Sequence, residues 1–485
     1  MTTPMNAPLE TRAELMRWQR LLDLSKTQRD ALAGPDAAQL KRLRGDIETA
    51  VFERRRPRFK RLARLVGVFP AGTLARLAQH SFGPRLAGRL VGEMDTLRAV
   101  KVAKRLPAAF IADAAPEIDP ARVRPIVAQL PAELVRDAAL VLIKRDDPVV
   151  LGRFADALSA PAIRAVVDAV DDDATLLHIA FAMTDKTQLT RIVQLIDNDR
   201  VARIMRTGTT RELWPEALSI VDNVDTATAG RLAGLMAEQD TDTLDDLVTV
   251  ADRQALWPPV LRAIKRMDAR YHRKIVNLPA LRDEALLGRL IVAAHEHGLL
   301  DIALPLTAPM RADAQRAVAH AALRQDDEIA DAVLWAAHRA GAWREALTLA
   351  AHLDDAERDR LSQLPALTQR RLLATLLESA TQTGHTALVH DVVDRMTGPA
   401  RQQVATAVVA RDGETLGRLI ERAENDADWA LITTIVGALD EENDRQTATD
   451  RIQARGTNAT ERFKDAAIAQ NRWQGFAPLF DEPAA

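Results

Sequence analysis

Cysteine is absent from the 485 residues, which excludes disulfide frameworks, thiol catalysis and thiolate metal sites. Aromatic residues make up only 4% of the chain, with a single Tyr, while Ala and Leu abound. That mixture favours closely packed helices over sheets. No stretch reaches the roughly 18 uncharged apolar residues of a membrane span. Even Leu286 to Ala294 is interrupted by Arg289, so no transmembrane segment is expected. The start, Met1 to Trp18, has no apolar run behind a basic segment and gives no secretory signal. A soluble cytoplasmic protein is the expectation. Also missing are the Gly-x-x-x-x-Gly-Lys-[Ser/Thr], Gly-x-Gly-x-x-Gly and Gly-x-Ser-x-Gly loops, so no cofactor is expected.

What is present is a register. From Trp214, steps of 43 residues reach Trp257, Leu300, Trp343, Thr386 and Trp429, and a step of 44 reaches Trp473. Five of the seven Trp fall in this column. A second column holds Ala251, Ala294, Ala337, Ala380, Ala423 and Ala466, and a third holds Val224, Met267, Met310, Leu353, Met396 and Leu439. Such a period marks stacked helical repeats, each unable to bury its apolar face alone. At 47% apolar content the chain has the material for such a core.

Each unit reads as three helices. After Met267 the pattern predicts helices over about Asp268–Asn277, Asp283–His297 and Leu300–Leu306. Asp240, Asp283, Asp326 and Asp412 stand where a carboxylate can cap a helix start. Gly298, Gly341 and Gly384 stand where a helix must stop in the left-handed conformation. The Ala column marks a close helix–helix approach, and the Trp/Leu column reads as a packing wedge rather than an aromatic ligand ladder. In period and apolar columns, 206–473 resembles armadillo and HEAT repeats; the resemblance implies a binding scaffold.

Upstream the rhythm differs. Leu106-Pro107-Ala108 recurs as Leu130-Pro131-Ala132, then as Leu158-Ser159-Ala160 and Met183-Thr184-Asp185. Between them stand Asp119-Pro120, Asp146-Asp147-Pro148 and Asp171-Asp172-Asp173, which suit helix N-caps followed by Pro at the first helical position. Short helix pairs follow. This alternation, over about 100–205, resembles the cytosolic N-terminal superhelical domain of MgtE-type magnesium transporters. The membrane helices of that family are missing, so transport and metal-binding residues do not carry over.

Charge is uneven. Residues 1–105 hold 22 Lys and Arg against 10 Asp and Glu, whereas the remainder holds 43 against 58. The densest cluster is Arg54, Arg55, Arg56, Arg58, Lys60, Arg61 and Arg64, with Pro57 expected to interrupt any helix there. Phe59, Leu62, Val66 and Phe69 recur between these cations at helical spacing. The segment 54–69 is therefore either the solvated first helix of a solenoid or a basic amphipathic surface for an anionic membrane or granule. Nucleic acid is disfavoured, because the rest of the chain is acidic and no base-reading motif accompanies the cluster. Upstream, Leu15, Trp18, Leu21 and Leu22 have the spacing of a docking helix.

The sharpest metal-like string, His295-Glu296-His297, is expected to end a helix, because such neighbours do not face one another on it. Asp171-Asp172-Asp173 reads as a helix cap before a divalent-ion site, and His338, His352, His385 and His390 form no catalytic pattern. These observations predict an all-α, right-handed α-solenoid. It comprises a basic N-terminal arm and cap (1–105), helix pairs (106–205), about six 43-residue repeats (206–473) and a C-terminal tail (474–485). The expected function is non-enzymatic, a cytoplasmic scaffold or adaptor for a protein partner. The alternative is peripheral attachment through 54–69.

Overall fold

From Trp214 onward every 43-residue step contains three helices. The first step runs Trp214–Asn223, Thr226–Ala237 and Thr241–Arg253; the second Trp257–Arg266, Ala269–Ile275 and Glu284–Glu296. Later steps repeat the plan, for instance Trp343–Ala350, Asp355–Leu361 and Arg370–Thr383. The computed structural model describes residues 9–32, 34–409, 414–426 and 428–480, without the side chains of 48, 49, 51–55, 414 and 426. Among the described residues there is no strand, and the chain is all-α. It divides into two units, Met1–Tyr271 and His272–Ala485.

The columns have a common physical origin. Ala251, Ala294, Ala337 and Ala380 are all but inaccessible to solvent, and each sits in the last turn of the third helix. Their carbonyls accept the amide five residues on: Leu256 at 2.8 Å, Leu299 at 2.7 Å, Ala342 at 2.9 Å and His385 at 2.9 Å. This is the Schellman closure, which needs a left-handed residue just before the donor. Gly298, Gly341 and Gly384 occupy it as expected, with φ of 65°, 64° and 76°. The first repeats place Glu212 and Ala255 there, and the last Asn471. The column residue then opens or caps the next helix, a buried Trp or Leu in each case but the half-buried Thr386. Asp240, Asp283 and Asp326 accept backbone amides as N-caps; Asp412 lies outside the described residues.

One register assignment is corrected. Ala466 is only half-buried, whereas Ala467 is fully buried, and its carbonyl accepts Arg472 N–H at 2.8 Å. The inserted residue therefore precedes the last alanine rather than following it, and the alanine-to-Trp spacing stays at six throughout.

Within His272–Ala485 the buried side chains form one continuous core from Leu304 to Phe480. Phe463, against Trp429, Phe476 and Phe480, closes its end. Met1–Tyr271 has smaller local clusters, such as Val66, Leu74, Ala75 and Val102, or Ala112, Ala115, Leu142 and Val150. Pro107, Pro131 and Ser159 stand at the N-caps of Ala108–Ala114, Ala132–Lys144 and Ala160–Ala169, while Asp119, Asp147 and Asp172 cap the intervening helices. Met183-Thr184-Asp185 departs from the pattern: Asp185 caps only a short 3-10 turn, Lys186–Gln188.

Pro57 does not end a helix. Ala37–Val66 is a single 30-residue helix with Pro57 inside it. The ring removes one N–H donor and crowds the carbonyl four residues earlier. Pro57 is exposed, so water can serve that carbonyl, and packing at both ends of the helix offsets the cost. Its first half buries Leu40 and Arg44 against the N-terminal helix Leu9–Leu22, and its last turns bury Ala63 and Val66.

Candidate functional site

The basic segment lies on the second half of this long helix. Arg54 and Arg55 are in the helix, with side chains outside those described. Arg56 pairs with Glu93 at 3.1 Å, so part of the predicted patch is tied back to the fold. Arg58, Lys60, Arg61 and Arg64 are exposed and make no ion pair among the described residues; Arg64 reaches only the Lys60 carbonyl, at 3.4 Å. The apolar stripe behaves differently from its amphipathic reading. Leu62 and Val66 face inward, onto Leu74, Ala75 and Val102. Phe59 is half-buried, and only Phe69 is exposed. The outward apolar side chains are Leu65, Val68 and, from the helix Thr96–Ala103, Leu97. Helical periodicity hid them, because it assigned the apolar face to the stripe that packs.

A second site is formed by Leu9–Leu22, which lies across elements far away in sequence within the same unit. Leu15 and Trp18 pack on Leu40, and the Trp18 indole N–H donates to the Leu40 carbonyl at 3.2 Å. Leu21 and Leu22 are exposed, so only half of the expected apolar set docks. On the other side Arg17 donates to the Ala182 carbonyl at 3.2 Å and to that of Met183, the C-terminal end of the helix Asp173–Ala182. A guanidinium there satisfies free carbonyls and meets the negative end of the dipole. Arg12 donates to the Gln254 carbonyl at 3.1 Å, and Arg20 pairs with Asp147 at 2.7 Å.

The charges of Glu10, Glu14, Arg17, Arg44 and Lys186 at this helix are mutually satisfied, and all but the half-exposed Glu10 are buried. Glu14 pairs with Arg17 and, at 3.0 Å, with Arg44; all three side chains are at most 6% exposed. Burial holds the Arg17 guanidinium below its ordinary pKa despite Glu14. Lys186 Nζ donates to Glu10 at 2.8 Å and to Ser219 Oγ at 2.6 Å, and burial lowers its pKa too. For Glu10, burial pushes the carboxyl up, but Lys186 and the Asn223 amide outweigh it and hold it below the usual carboxylate range. The Arg17–Ala182 and Glu10–Lys186 contacts join residues 165 and 176 positions apart, and no local pattern signals them.

With the geometry in place, comparison with known proteins adds little. No protein-family model matches the chain, and no curated protein matches it. Among solved structures it is similar to an engineered protein from the Northeast Structural Genomics Consortium, at 15% identity over 84% of this chain and 98% of that one, with a TM-score of 0.21. It is also similar to a circular tandem repeat protein with novel repeat topology and enhanced subunit contact surfaces, at 13% identity over 96% and 99%, with a TM-score of 0.19. At these TM-scores the helical-repeat assignment stands on the chain's own backbone.

The remaining candidates fall on helix ends and caps. His295 is in the last turn of Glu284–Glu296 and His297 is its C-cap. Asp172 caps Asp173–Ala182 and pairs with Arg211 at 3.0 Å, while Asp173 pairs with Arg200 at 2.8 Å. A His–carboxylate pair that the sequence reading missed joins His320 Nδ1 to Glu357 at 2.5 Å, 37 positions apart. His338 Nδ1 lies 2.9 Å from Thr375 Oγ1, which also accepts the Trp343 indole N–H at 3.0 Å. Among the described residues, no three His, Asp or Glu converge as a metal site would require.

Proposed function

We propose that the chain is a non-enzymatic, right-handed α-solenoid scaffold or adaptor that binds a protein partner along its stacked helices, without a cofactor. The observation that carries this reading is the docked helix Leu9–Leu22. Its contacts support the reading by their chemistry: side-chain donors on helix-end carbonyls, and a buried ion pair between the docked helix and the surface beneath it. Stacked repeats present such carbonyl ends at regular intervals. Three helices per 43 residues support an armadillo- or HEAT-like character for 206–473, and the Pro- and Asp-capped pairs support an MgtE-N-like character for 106–205. In a test, the full chain is used as bait in native extract and each captured protein is reconstituted with it in purified form. A direct complex is expected; no reconstitutable partner would count against the scaffold.

A second reading is favoured by one further observation. Leu65, Val68 and Leu97 are exposed beside cations that make no ion pair among the described residues, which supports peripheral attachment of a cytoplasmic chain to an anionic surface through residues 54–69. No helix of the described residues is long and apolar enough to cross a membrane. Flotation with acidic vesicles tests it, and binding that survives Arg58→Glu, Arg61→Glu and Arg64→Glu together would remove it.

A further inference from the structure

The long helix ends at Gly67, and the chain turns through Val68 and Phe69 before Ala71–Leu77 begins. On this turn the side chains of Leu65, Val68 and Phe69 are 69%, 80% and 41% exposed. Leu97, in the first turn of Thr96–Ala103, is 64% exposed. The two elements are joined, because the Arg98 guanidinium donates to the Phe69 carbonyl. Four large apolar side chains are thus exposed on two tethered elements, while Leu62 and Val66, on the adjoining stripe of the long helix, pack with Leu74 and Val102. Isolated exposed apolar residues are ordinary, but a rimmed cluster of them marks an interaction site.

The rim is cationic. Arg58, Lys60, Arg61 and Arg64 precede the crest, and exposed Lys101 and Lys104 follow Leu97 on its own helix. None of these six makes an ion pair among the described residues. The arginines of the next helices are used differently: Arg89 holds Glu117, Arg122 holds Glu93, and Arg145 holds Asp113. Asp95, the acid beside Leu97, accepts the Arg98 amide as an N-cap.

We propose that Leu65, Val68, Phe69 and Leu97 form a rigid crest that enters the headgroup–acyl boundary of an anionic bilayer, with Arg58, Lys60, Arg61, Arg64, Lys101 and Lys104 against the lipid phosphates. This rests on the second reading above and adds to it an insertion step and a second helix. Charge complementarity selects the occupant, since six cations without an ion pair among the described residues fit an anionic layer. The form of the patch agrees, because apolar side chains that project as a crest, with cations around its base, match an interface in which lipid carbon lies just beneath phosphate. A nucleic-acid backbone would pair the cations but leave the crest in water.

The absence of cysteine makes a direct test available. The full chain carrying Val68→Cys, labelled with a polarity-sensitive dye, is mixed with phosphatidylcholine vesicles with and without phosphatidylserine. The expected result is a blue shift and co-flotation with the acidic vesicles only. Leu65→Ser, Val68→Ser and Leu97→Ser together lower affinity by tenfold or more, and Lys101→Glu with Lys104→Glu lowers it by on the order of fivefold per residue. Co-flotation without a blue shift, unchanged by the serine variant, would overturn insertion and leave electrostatic attachment standing. No co-flotation of the unaltered chain would overturn both. Retention on duplex DNA but not on vesicles would also overturn the proposal. The altered residues are exposed, and an unchanged thermal melt verifies the fold of each variant.

Discussion

The Ala251 carbonyl accepts the Leu256 amide at 2.8 Å, which holds Ala255 between them at a φ of 55°. One and two repeats later the same place is filled by Gly298 and Gly341. Left-handed backbone costs a residue with a Cβ about 1–2 kcal/mol, and the extra freedom of unfolded Gly returns about 0.4–1 kcal/mol. Ala255→Gly should therefore stabilise Met1–Tyr271 by about 0.5–1 kcal/mol. Gly341→Ala should destabilise His272–Ala485 by a similar amount, since an added Cβ there meets no atom within 4 Å and only the backbone term acts. Urea melts of the two single variants test the pair; equal signs would show that the closure is not strained at Ala255.

That relationship shows what the sequence discloses and what it withholds. The repeat is legible because the closure recurs in one chain: a small residue whose carbonyl is used, a left-handed residue, a wedge. Glycine at 298, 341 and 384 announces the turn and Asn471 is compatible with it, whereas Glu212 and Ala255 adopt the same φ with no sign in their identity. Local caps such as Asp119, Asp147 and Asp240 were likewise readable, because the chemistry is complete within a few residues. Pro57 misled, since its local cost is outweighed by packing at both ends of a long helix. The basic cluster was visible as charge. Which apolar side chains stand beside it was not, because outward Leu65 and inward Leu62 lie on one helix and differ only in what Leu74 and Val102 cover. Apart from the i,i+3 pair Glu14–Arg17, the bonds of Glu10, Glu14 and Arg17 connect distant elements and carry no periodic signature.

The Trp column predicts unequal responses to one substitution. Trp343 donates its indole N–H to Thr375, whereas the buried Trp429 N–H in the same unit finds no acceptor among the described residues. An unsatisfied buried donor costs about 1–3 kcal/mol, so its removal offsets part of the lost ring area. Trp343→Phe should then cost about 1 kcal/mol more than Trp429→Phe in equilibrium unfolding. Equal losses would mean that the Thr375 bond contributes nothing net.

Glu14 is the common partner of two buried guanidinium groups, Arg17 and Arg44. Removing the shared carboxylate from such a cluster costs about 3–5 kcal/mol while the cations stay buried. The chain can limit that cost by releasing Leu9–Leu22 to water, which re-exposes Arg17. Glu14→Ala is therefore expected to speed amide hydrogen exchange through residues 9–22 while helices such as Ala132–Lys144 keep their protection. Undiminished protection of the N-terminal helix would show that Leu15 and Trp18 hold it without the ionic cluster.

Acid should loosen the same helix by a separate route. Burial raises the Glu10 carboxyl, but Lys186 and the hydrogen bonds from Lys186 and Asn223 prevail and leave it below its ordinary value of 4.5. A carboxylate depressed on folding adds stability that is complete above its unfolded pKa and is lost as pH falls through the folded one. The docking contribution of Glu10 is thus intact at neutral pH and disappears only below about pH 4.5, its unfolded value. Lys186 has the same sense at the other end of the scale: burial depresses it from 10.5, so it already disfavours docking at neutral pH, and Glu10 offsets this. Hydrogen exchange of residues 9–22 should stay flat from pH 8 to pH 5, once corrected for intrinsic rates, and accelerate below. Glu10→Gln should remove that acid step and give faster exchange at neutral pH, because the amide cannot compensate the buried Lys186 ammonium. An acid step that persists in Glu10→Gln would assign the transition to another group.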